Sequence, residues 1–238
     1  MADSSPPSLT SPDRRRCLRL LGGLLLGGVL GLGPPPLAAR LDQAQLRTSM
    51  RREYGQEGVA VLEEWLALLD RLRGADRQDQ LREVNAFFNR RVRWLEDPQV
   101  WQREDYWATP LETLGRGAGD CEDYTIAKYV TLRQLEVPEA MLRLIYVRAR
   151  IGRSRITQAH MVLGYYATPG GEPLVLDNLV PDITPAGART DLDPLFSFNG
   201  SGLWAGGSSR SRADPVARLS RWRSVIDRMR RQGFIQGG

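Results

Sequence analysis

The sequence is poor in three side chains that often carry chemistry. Its 238 residues include two cysteines, Cys17 and Cys121, one histidine, His160, and one lysine, Lys128. Almost every basic residue is therefore an arginine, and no arginine cluster is interleaved with aromatic residues on one predicted element. That pattern argues against nucleic-acid binding. The remaining composition, with 42% apolar and 26% charged residues, is typical of a globular protein.

Residues 1–39 have the pattern of a cleavable secretory signal peptide. Four arginines precede an apolar segment over residues 20–32, and prolines and small residues then lead to a predicted cleavage site near Ala39. The apolar segment is short for a membrane-spanning helix, although an uncleaved inner-membrane anchor remains the alternative. We expect an exported protein whose mature part, residues 40–238, is one domain with Cys121 as its single thiol. A single thiol cannot form an internal disulfide, so Cys121 needs another explanation.

The first part of the mature sequence predicts helices. Apolar residues at helical spacing predict helices within residues 42–95, with Gly74 ending one of them and Pro98 ending the next. A capping box formed by Thr109 and Glu112 predicts the start of a short helix, which a run of glycines then interrupts.

The second part of the sequence predicts a sheet between two helices. A helix is predicted from about Asp120 to Leu135, and a closing helix over residues 216–233. Three short segments rich in β-branched and aromatic residues predict antiparallel strands: 141–149, 158–166 and 172–180. A stretch rich in glycine and serine from residue 191 to 212 predicts a loop. The fold class predicted from these elements is α+β, with a cysteine-bearing central helix beside an antiparallel sheet.

Cys121 is predicted at the N-terminus of the central helix. A helix N-terminus carries partial positive charge and free N–H groups, which lower the pKa of a thiol and can hold an oxyanion. The position therefore favours a nucleophilic thiolate, although the adjacent acids Asp120, Glu122 and Asp123 oppose its ionisation. On sequence grounds alone, three carboxylates in four residues are a weak metal signal, since acids also cap helix N-termini.

His160 is the only candidate base, and a predicted hairpin brings it towards an acid. Strand alternation puts His160 and Val162 on one face, and Val175 and Asp177 on one face of the next strand. A hairpin turning between these strands would pair positions whose numbers sum to about 337–339, which sets Asp177 opposite or diagonal to His160. Asp177 could then fix the tautomer of His160 and stabilise its charged form.

A structural role for these residues is the alternative interpretation. A lone cysteine is usually a small buried hydrophobe, and a lone histidine is usually structural. The catalytic interpretation is favoured because the order of helix with cysteine, strand with histidine and strand with acid uses the only mature cysteine and the only histidine.

These residues lie in segments that resemble a known family. "GDCEDYTIAKYVTLRQL", "QAHMVLGYY", "LVLDNL" and "SFNGSGLW" closely resemble the bacterial transglutaminase-like cysteine proteinases, and the similarity covers roughly residues 83–204. The resemblance implies a papain-like, transglutaminase-like fold with Cys121 as nucleophile, His160 as base and Asp177 as orienting acid.

The resemblance also implies a cofactor, a substrate and a regulator. Proteases of this type are calcium-dependent, and the calcium ligands beside the nucleophile match Asp120, Glu122 and Asp123. The implied substrate is the N-terminal region of a large surface adhesin, cut in the periplasm near a small-residue, Ala-Ala type site. The implied regulator is an inner-membrane cyclic-di-GMP receptor whose periplasmic domain captures the protease and so controls biofilm attachment.

Two other functions use the same fold. A transglutaminase would pass the acyl group from Cys121 to an amine instead of to water, and the three residues do not distinguish these acceptors. A binding module that has lost activity is the third hypothesis, and the presence of all three side chains argues against it.

Overall fold

The structure is a computed structural model that describes residues 41–150, 152, 156–206, 214 and 219–234. The predicted signal peptide lies outside the described residues, and so does the predicted start of the closing helix at residues 216–218.

Two long helices open the described chain. Helix α1 spans Gln43–Leu72. It is capped by the preceding residue, Asp42, whose carboxylate accepts the backbone N–H of Gln45 at 2.9 Å. Gly55 has non-helical angles, with φ of 66°, and kinks α1 at a point that the apolar spacing does not reveal. Helix α2 spans Arg77–Arg91.

The predicted helix boundary at Pro98 is wrong, because the helix stops seven residues earlier. Helix α2 ends at Arg91 and is followed by strand β1, Arg93–Trp94, and by a one-turn helix α3, Asp97–Val100. Leu95, which fits the helical spacing, instead donates its backbone N–H to the carbonyl of Gly119 at 3.1 Å. Pairing with the glycine turn thus competes with the helix for these backbone groups.

The turn that leads to Cys121 follows the predicted order. Helix α4 spans Pro110–Arg116, with both hydrogen bonds of the predicted capping box present. Strand β2, Ala118–Gly119, pairs in parallel with β1. Helix α5, Cys121–Gln134, begins one residue after the predicted start at Asp120. Its residues 122–132 are all buried, so α5 is the central helix of the core.

A six-stranded antiparallel sheet forms the second half, in the order β6-β5-β4-β3-β7-β8. The three predicted strands are present as β3 Leu142–Arg150, β4 Thr157–Tyr165 and the shorter β5 Leu174–Leu176. A two-residue edge strand, β6, follows at Thr184–Pro185.

The loop predicted for residues 191–212 is wrong where the structure describes that segment. Residues Leu192–Phe198 form strand β7 beside β3, and Leu203–Ala205 form strand β8. The composition is misleading because most of the glycines and serines lie in the turn between the strands or after β8, while Phe198 is fully buried in the core.

Helix α6, Ser220–Gln232, closes the described chain and ends at Gly233 in the left-handed conformation. Its buried residues include Trp222, Val225 and Met229, as the apolar spacing predicts. These side chains join the main core between the helices and the sheet, whereas Ile145, Val147, Ala149, Val162 and Val175 form a smaller apolar cluster. The predicted α+β class is confirmed. Within the described residues, no helix combines the length and the apolarity needed to span a membrane.

Candidate active site

A tight glycine turn sets the start of α5. Gly117 adopts the left-handed conformation, with φ of 61°, which glycine reaches at little cost. A Cβ atom on Gly119 would lie 2.5 Å from a carboxylate oxygen of Asp123, so only glycine fits there. Asp120 is the extended N-cap residue, and Cys121 is the first residue of the helix. The prediction that Cys121 lies at a helix N-terminus is confirmed.

The Cys121 thiol contacts a carboxylate beside the strand that carries His160. The thiol donates to Oε2 of Glu122 at 2.7 Å, and Thr125 on the same helix donates its hydroxyl to the carbonyl of Met161, the residue after His160, at 3.0 Å. Burial raises the pKa of the Cys121 thiol well above its ordinary value, and the charges of Glu122 and Asp120 raise it further. Without a bound cation, burial and the neighbouring acids therefore raise the pKa of Cys121 more than the helix N-terminus lowers it. This result differs from the thiolate that the sequence led us to expect.

The predicted hairpin between His160 and Asp177 is present. Gly164 pairs with Val175, so positions on β4 and β5 sum to 339 and Asp177 lies diagonal to His160. The ring atom Nε2 of His160 lies 2.8 Å from Oδ1 of Asp177, and both side chains are almost fully buried. The contact leaves Nδ1 of His160 as the ring atom available to accept a proton from elsewhere.

Asp177 has further partners that the sequence did not reveal. Its Oδ1 accepts the backbone N–H of Leu179 at 3.0 Å, and its Oδ2 accepts Nη2 of Arg189 at 2.8 Å. Burial alone would raise the pKa of Asp177, but the hydrogen bonds from His160, Leu179 and Arg189 lower it to about 2. Asp177 is therefore an ionised carboxylate with both oxygens occupied.

Lys128, the only lysine, is buried two turns along α5 from the cysteine. Its ammonium lies 5.7 Å from the ring centre of Tyr124, and burial lowers the pKa of Lys128 to about 7, although the charge of Asp177 opposes this shift.

A second cluster of acids surrounds the N-terminus of α5. Carboxylate oxygens of Asp97, Asp120 and Asp123 lie within 4.8 Å of one another. Burial raises the pKa of Asp97 to about 6, with Glu122 adding to the shift. Burial and the charges of Glu122 and Asp123 raise the pKa of Asp120 to about 10. Burial and the charges of Asp97 and Glu122 raise the pKa of Asp123. The raised pKa values mean that ionising these carboxyl groups together is unfavourable, because the protein's own groups do not neutralise the resulting negative charge.

The donor set of this cluster fits a hard divalent cation such as calcium. Oδ1 of Asp97 and Oδ1 of Asp120 are buried and have no hydrogen-bond partner within the described residues. Asp123 is oriented by the N–H groups of Ala108, at 2.7 Å, and Trp101, at 3.4 Å. Buried carboxylate oxygens without a partner are energetically costly unless they coordinate a cation. Calcium takes six to eight oxygen ligands.

The three predicted metal ligands do not all lie in this cluster. Asp120 and Asp123 lie in the cluster as predicted, together with Asp97, which the sequence analysis missed. Glu122 turns towards the sulfur of Cys121 and, at 3.4 Å, towards the hydroxyl of Tyr146, so it bridges the acid cluster and the thiol. Asp97 carried no signal because it lies 23 residues before Asp120 and is an ordinary helix-start acid in sequence.

Comparisons with known proteins identify the class that this fold and site define. Residues 70–191 match the family described as bacterial transglutaminase-like cysteine proteinase (BTLCP). The chain belongs to this family, as the sequence resemblance implied, and its fold is transglutaminase-like. Among curated proteins, no sequence gave a significant match.

The particular relatives are structures of LapG from Legionella pneumophila. One LapG structure is 36% identical, covers 78% of this chain and 96% of its own, and has a TM-score of 0.66. An EGTA-treated LapG structure is 37% identical, with the same coverage and a TM-score of 0.69. A calcium-bound LapG structure is 37% identical, covers 77% of this chain and 97% of its own, and has a TM-score of 0.65.

Proposed function

We propose that this protein is a periplasmic, calcium-dependent cysteine endopeptidase with Cys121, His160 and Asp177 as its catalytic triad. The observation that carries the proposal is the buried His160–Asp177 pair, joined at 2.8 Å. Strand β4, which carries His160, is joined to the cysteine-bearing helix α5 by the hydrogen bond from Thr125 to the carbonyl of Met161 at 3.0 Å. Membership of a cysteine proteinase family supports the same assignment.

The proposed reaction has two steps, the formation of a thioester on Cys121 and its hydrolysis. Cys121 transfers its proton to His160, and the thiolate attacks the scissile carbonyl while His160 protonates the leaving amine, so that the C–N bond breaks and an acyl-enzyme forms. Water then attacks the thioester while His160 accepts its proton, the C–S bond breaks to release the acid product, and His160 returns the proton to the sulfur of Cys121. Asp177 holds the ring of His160 by Nε2 and stabilises its charged form in both steps.

The acids around Cys121 are proposed to hold calcium. Asp97, Asp120 and Asp123 would supply ligands, with Glu122 as a fourth carboxylate beside the thiol. A bound dication would offset the negative charge that raises the pKa of Cys121. Metal binding would therefore explain why acids lie next to the nucleophile. The calcium-bound form of LapG among the similar structures supports this choice of metal.

The substrate and the regulator are carried over from the family resemblance of the sequence. We propose that the protein cleaves the N-terminal region of a large surface adhesin near a small-residue site. An inner-membrane cyclic-di-GMP receptor would capture the protease and so control biofilm attachment. The predicted signal peptide supports the periplasmic location that this pathway requires.

The deciding experiment separates hydrolysis from acyl transfer. The protein is incubated with an adhesin N-terminal fragment in calcium, with and without a labelled primary amine, and the products are weighed by mass spectrometry. We expect two fragments whose masses sum to the substrate plus one water, with no label incorporated. Label attached to a glutamine, without cleavage, would instead establish a transglutaminase. An unchanged substrate with a thiol that also ignores iodoacetamide would establish an inactive binding module.

A further inference from the structure

We propose that Arg189 is a positioning residue that fixes the carboxylate of Asp177 against His160. The inference deepens the proposed function, since it rests on His160 and Asp177 acting together. The proposed role acts through Asp177 and requires no contact between Arg189 and the reacting atoms.

Arg189 contacts two carboxylates, and its contact with Asp191 positions it against Asp177. Its Nε and Nη2 donate to the two oxygens of Asp191 at 3.0 and 2.8 Å, and the same Nη2 donates to Oδ2 of Asp177 at 2.8 Å. An Nη2 group has two protons, so it serves both acids at once. Asp191 thus fixes the plane of the guanidinium, and the guanidinium fixes Asp177.

The backbone around Arg189 is also fixed. Its N–H donates to the carbonyl of Ala186 at 2.9 Å, which closes a one-turn 3-10 helix, and its carbonyl accepts the N–H of Leu192 at 3.0 Å, where β7 begins. The side chain is 7% exposed. A buried arginine held at both ends has little freedom to move away from Asp177.

The arrangement divides the two oxygens of Asp177 between two tasks. Oδ1 accepts the ring of His160 and the N–H of Leu179, while Oδ2 is occupied by Arg189. Without Arg189, Oδ2 would be a buried, unpaired anion, and the carboxylate could rotate about its Cβ–Cγ bond to find another donor. His160 would then lose the partner that sets its tautomer.

Among the described residues, Asp177 has no second guanidinium partner that could replace Arg189. The charged or titratable groups that interact with it in this part of the chain are His160 on β4, Lys128 on α5, and the pair Arg189 and Asp191. Lys128 is a point charge without the planar fork of a guanidinium, so it does not reproduce a fixed two-carboxylate contact.

The test uses the only histidine as a spectroscopic reporter. In calcium, the proton on Nε2 of His160 should give one downfield proton resonance, which needs no assignment because the chain has one histidine. The variants are Arg189→Gln, Arg189→Lys and Asp191→Asn. The matched control is Arg148→Gln, which breaks an exposed ion pair with Asp193 in the same sheet. Circular dichroism checks the fold of each variant, and cleavage of an adhesin fragment gives kcat and KM.

We expect Arg189→Gln to lose or broaden the downfield resonance and to lower kcat roughly 10- to 100-fold with KM changed less than about threefold. Arg189→Lys should recover part of kcat, and Asp191→Asn should show a smaller loss in the same direction. Arg148→Gln should match wild type in both measurements. A folded Arg189→Gln variant that keeps the resonance and has kcat within about twofold of wild type would overturn the proposal.

Two further outcomes keep the test decisive. If Arg189→Gln does not fold, wild-type resonance and kcat in both Arg189→Lys and Asp191→Asn would overturn the proposal. If Asp177→Asn is fully active, the triad itself fails. The resonance of His160 in Arg189→Gln still reports whether Arg189 orients Asp177, because that measurement needs no substrate.

Discussion

At the scale of single residues, the proposed chemistry depends first on Cys121. Cys121→Ala removes the sulfur from a half-buried position without adding volume, so the fold should be retained. We expect cleavage of an adhesin fragment to be abolished, because Cys121 is the only cysteine in residues 40–238. The measurement is turnover by purified protein with matched circular dichroism spectra. Residual activity above roughly a thousandth of wild type would contradict covalent catalysis by this residue.

The histidine and its acid should differ in the size of their effects. His160→Ala should be as inactive as Cys121→Ala, since it removes the only base. Asp177→Asn keeps a carbonyl oxygen that can accept from Arg189 or from His160, so we expect a large but incomplete loss of kcat. Single-turnover rates of the three variants, compared under identical conditions, check this order. A fully active Asp177→Asn enzyme would remove Asp177 from the triad.

Scarcity explains which site residues could be predicted from the sequence. Cys121 and His160 stood out because the chain has so few of their kind, and Asp177 followed from hairpin register. Asp97 and Arg189 belong to abundant residue types, and only the folded chain brings them to the site. Single-sequence patterns carry no information on such contacts between distant segments.

At the scale of elements, helix α4 is tied to the closing helix through its cap. Thr109 accepts the N–H of Glu112 in the capping box, and its hydroxyl also donates to the side chain of Gln232 on α6 at 2.6 Å. Thr109→Ala should lower the free energy of unfolding by about 1–2 kcal/mol, because it removes the cap and leaves buried polar groups unpaired. Urea denaturation measures this loss.

Thr48 offers the matched control for this cap. Its hydroxyl donates to the carbonyl of Ala44 on the exposed face of α1, where it caps nothing. Thr48→Ala should therefore change stability by no more than about 0.5 kcal/mol. Equal losses in the two variants would mean that the contact between Thr109 and Gln232 contributes nothing beyond the general effect of the substitution.

Elements with strong local signals were predictable, whereas very short or irregular strands that depend on their pairing partners were not. Helix α4 has a capping box, and helix α6 has clear apolar spacing and a glycine stop. Strands β1 and β2 are two residues long and exist only because they pair with each other. Strand β7 contains Pro194 and is interrupted by a register shift against β3, which weakens any alternating pattern.

At the scale of the whole molecule, the acid cluster joins separate parts of the chain. Asp97 belongs to α3, Asp120 immediately precedes α5, and Asp123 holds the loop before α4 through the N–H of Ala108. A cation bound there would tie these segments together only in the folded state. Calcium should therefore raise the free energy of unfolding by mass action, by about 2.7 kcal/mol when free calcium is a hundred times Kd.

The stabilisation by calcium should increase with pH. Without a cation, the folded-state pKa of Asp97 is about 6 and that of Asp120 is about 10, both raised by burial and by neighbouring acids. The unfolded values are near 4, so between these limits the folded state binds more protons and loses stability as the pH rises. Calcium replaces those protons and removes the penalty. The difference in Tm between calcium and EGTA should thus be larger at pH 8 than at pH 5.

Thermal unfolding with excess EGTA, calcium or magnesium at both pH values measures this difference. Magnesium should stabilise less, because it demands a tighter octahedron and retains its waters. Asp97→Asn combined with Asp120→Asn should reduce the calcium effect and its pH dependence in a folded protein. Asp193→Asn, an exposed acid on β7, should leave both unchanged. If wild-type Tm is the same in calcium and EGTA at pH 8, and elemental analysis finds no bound calcium, these carboxylates act only in capping and local electrostatics.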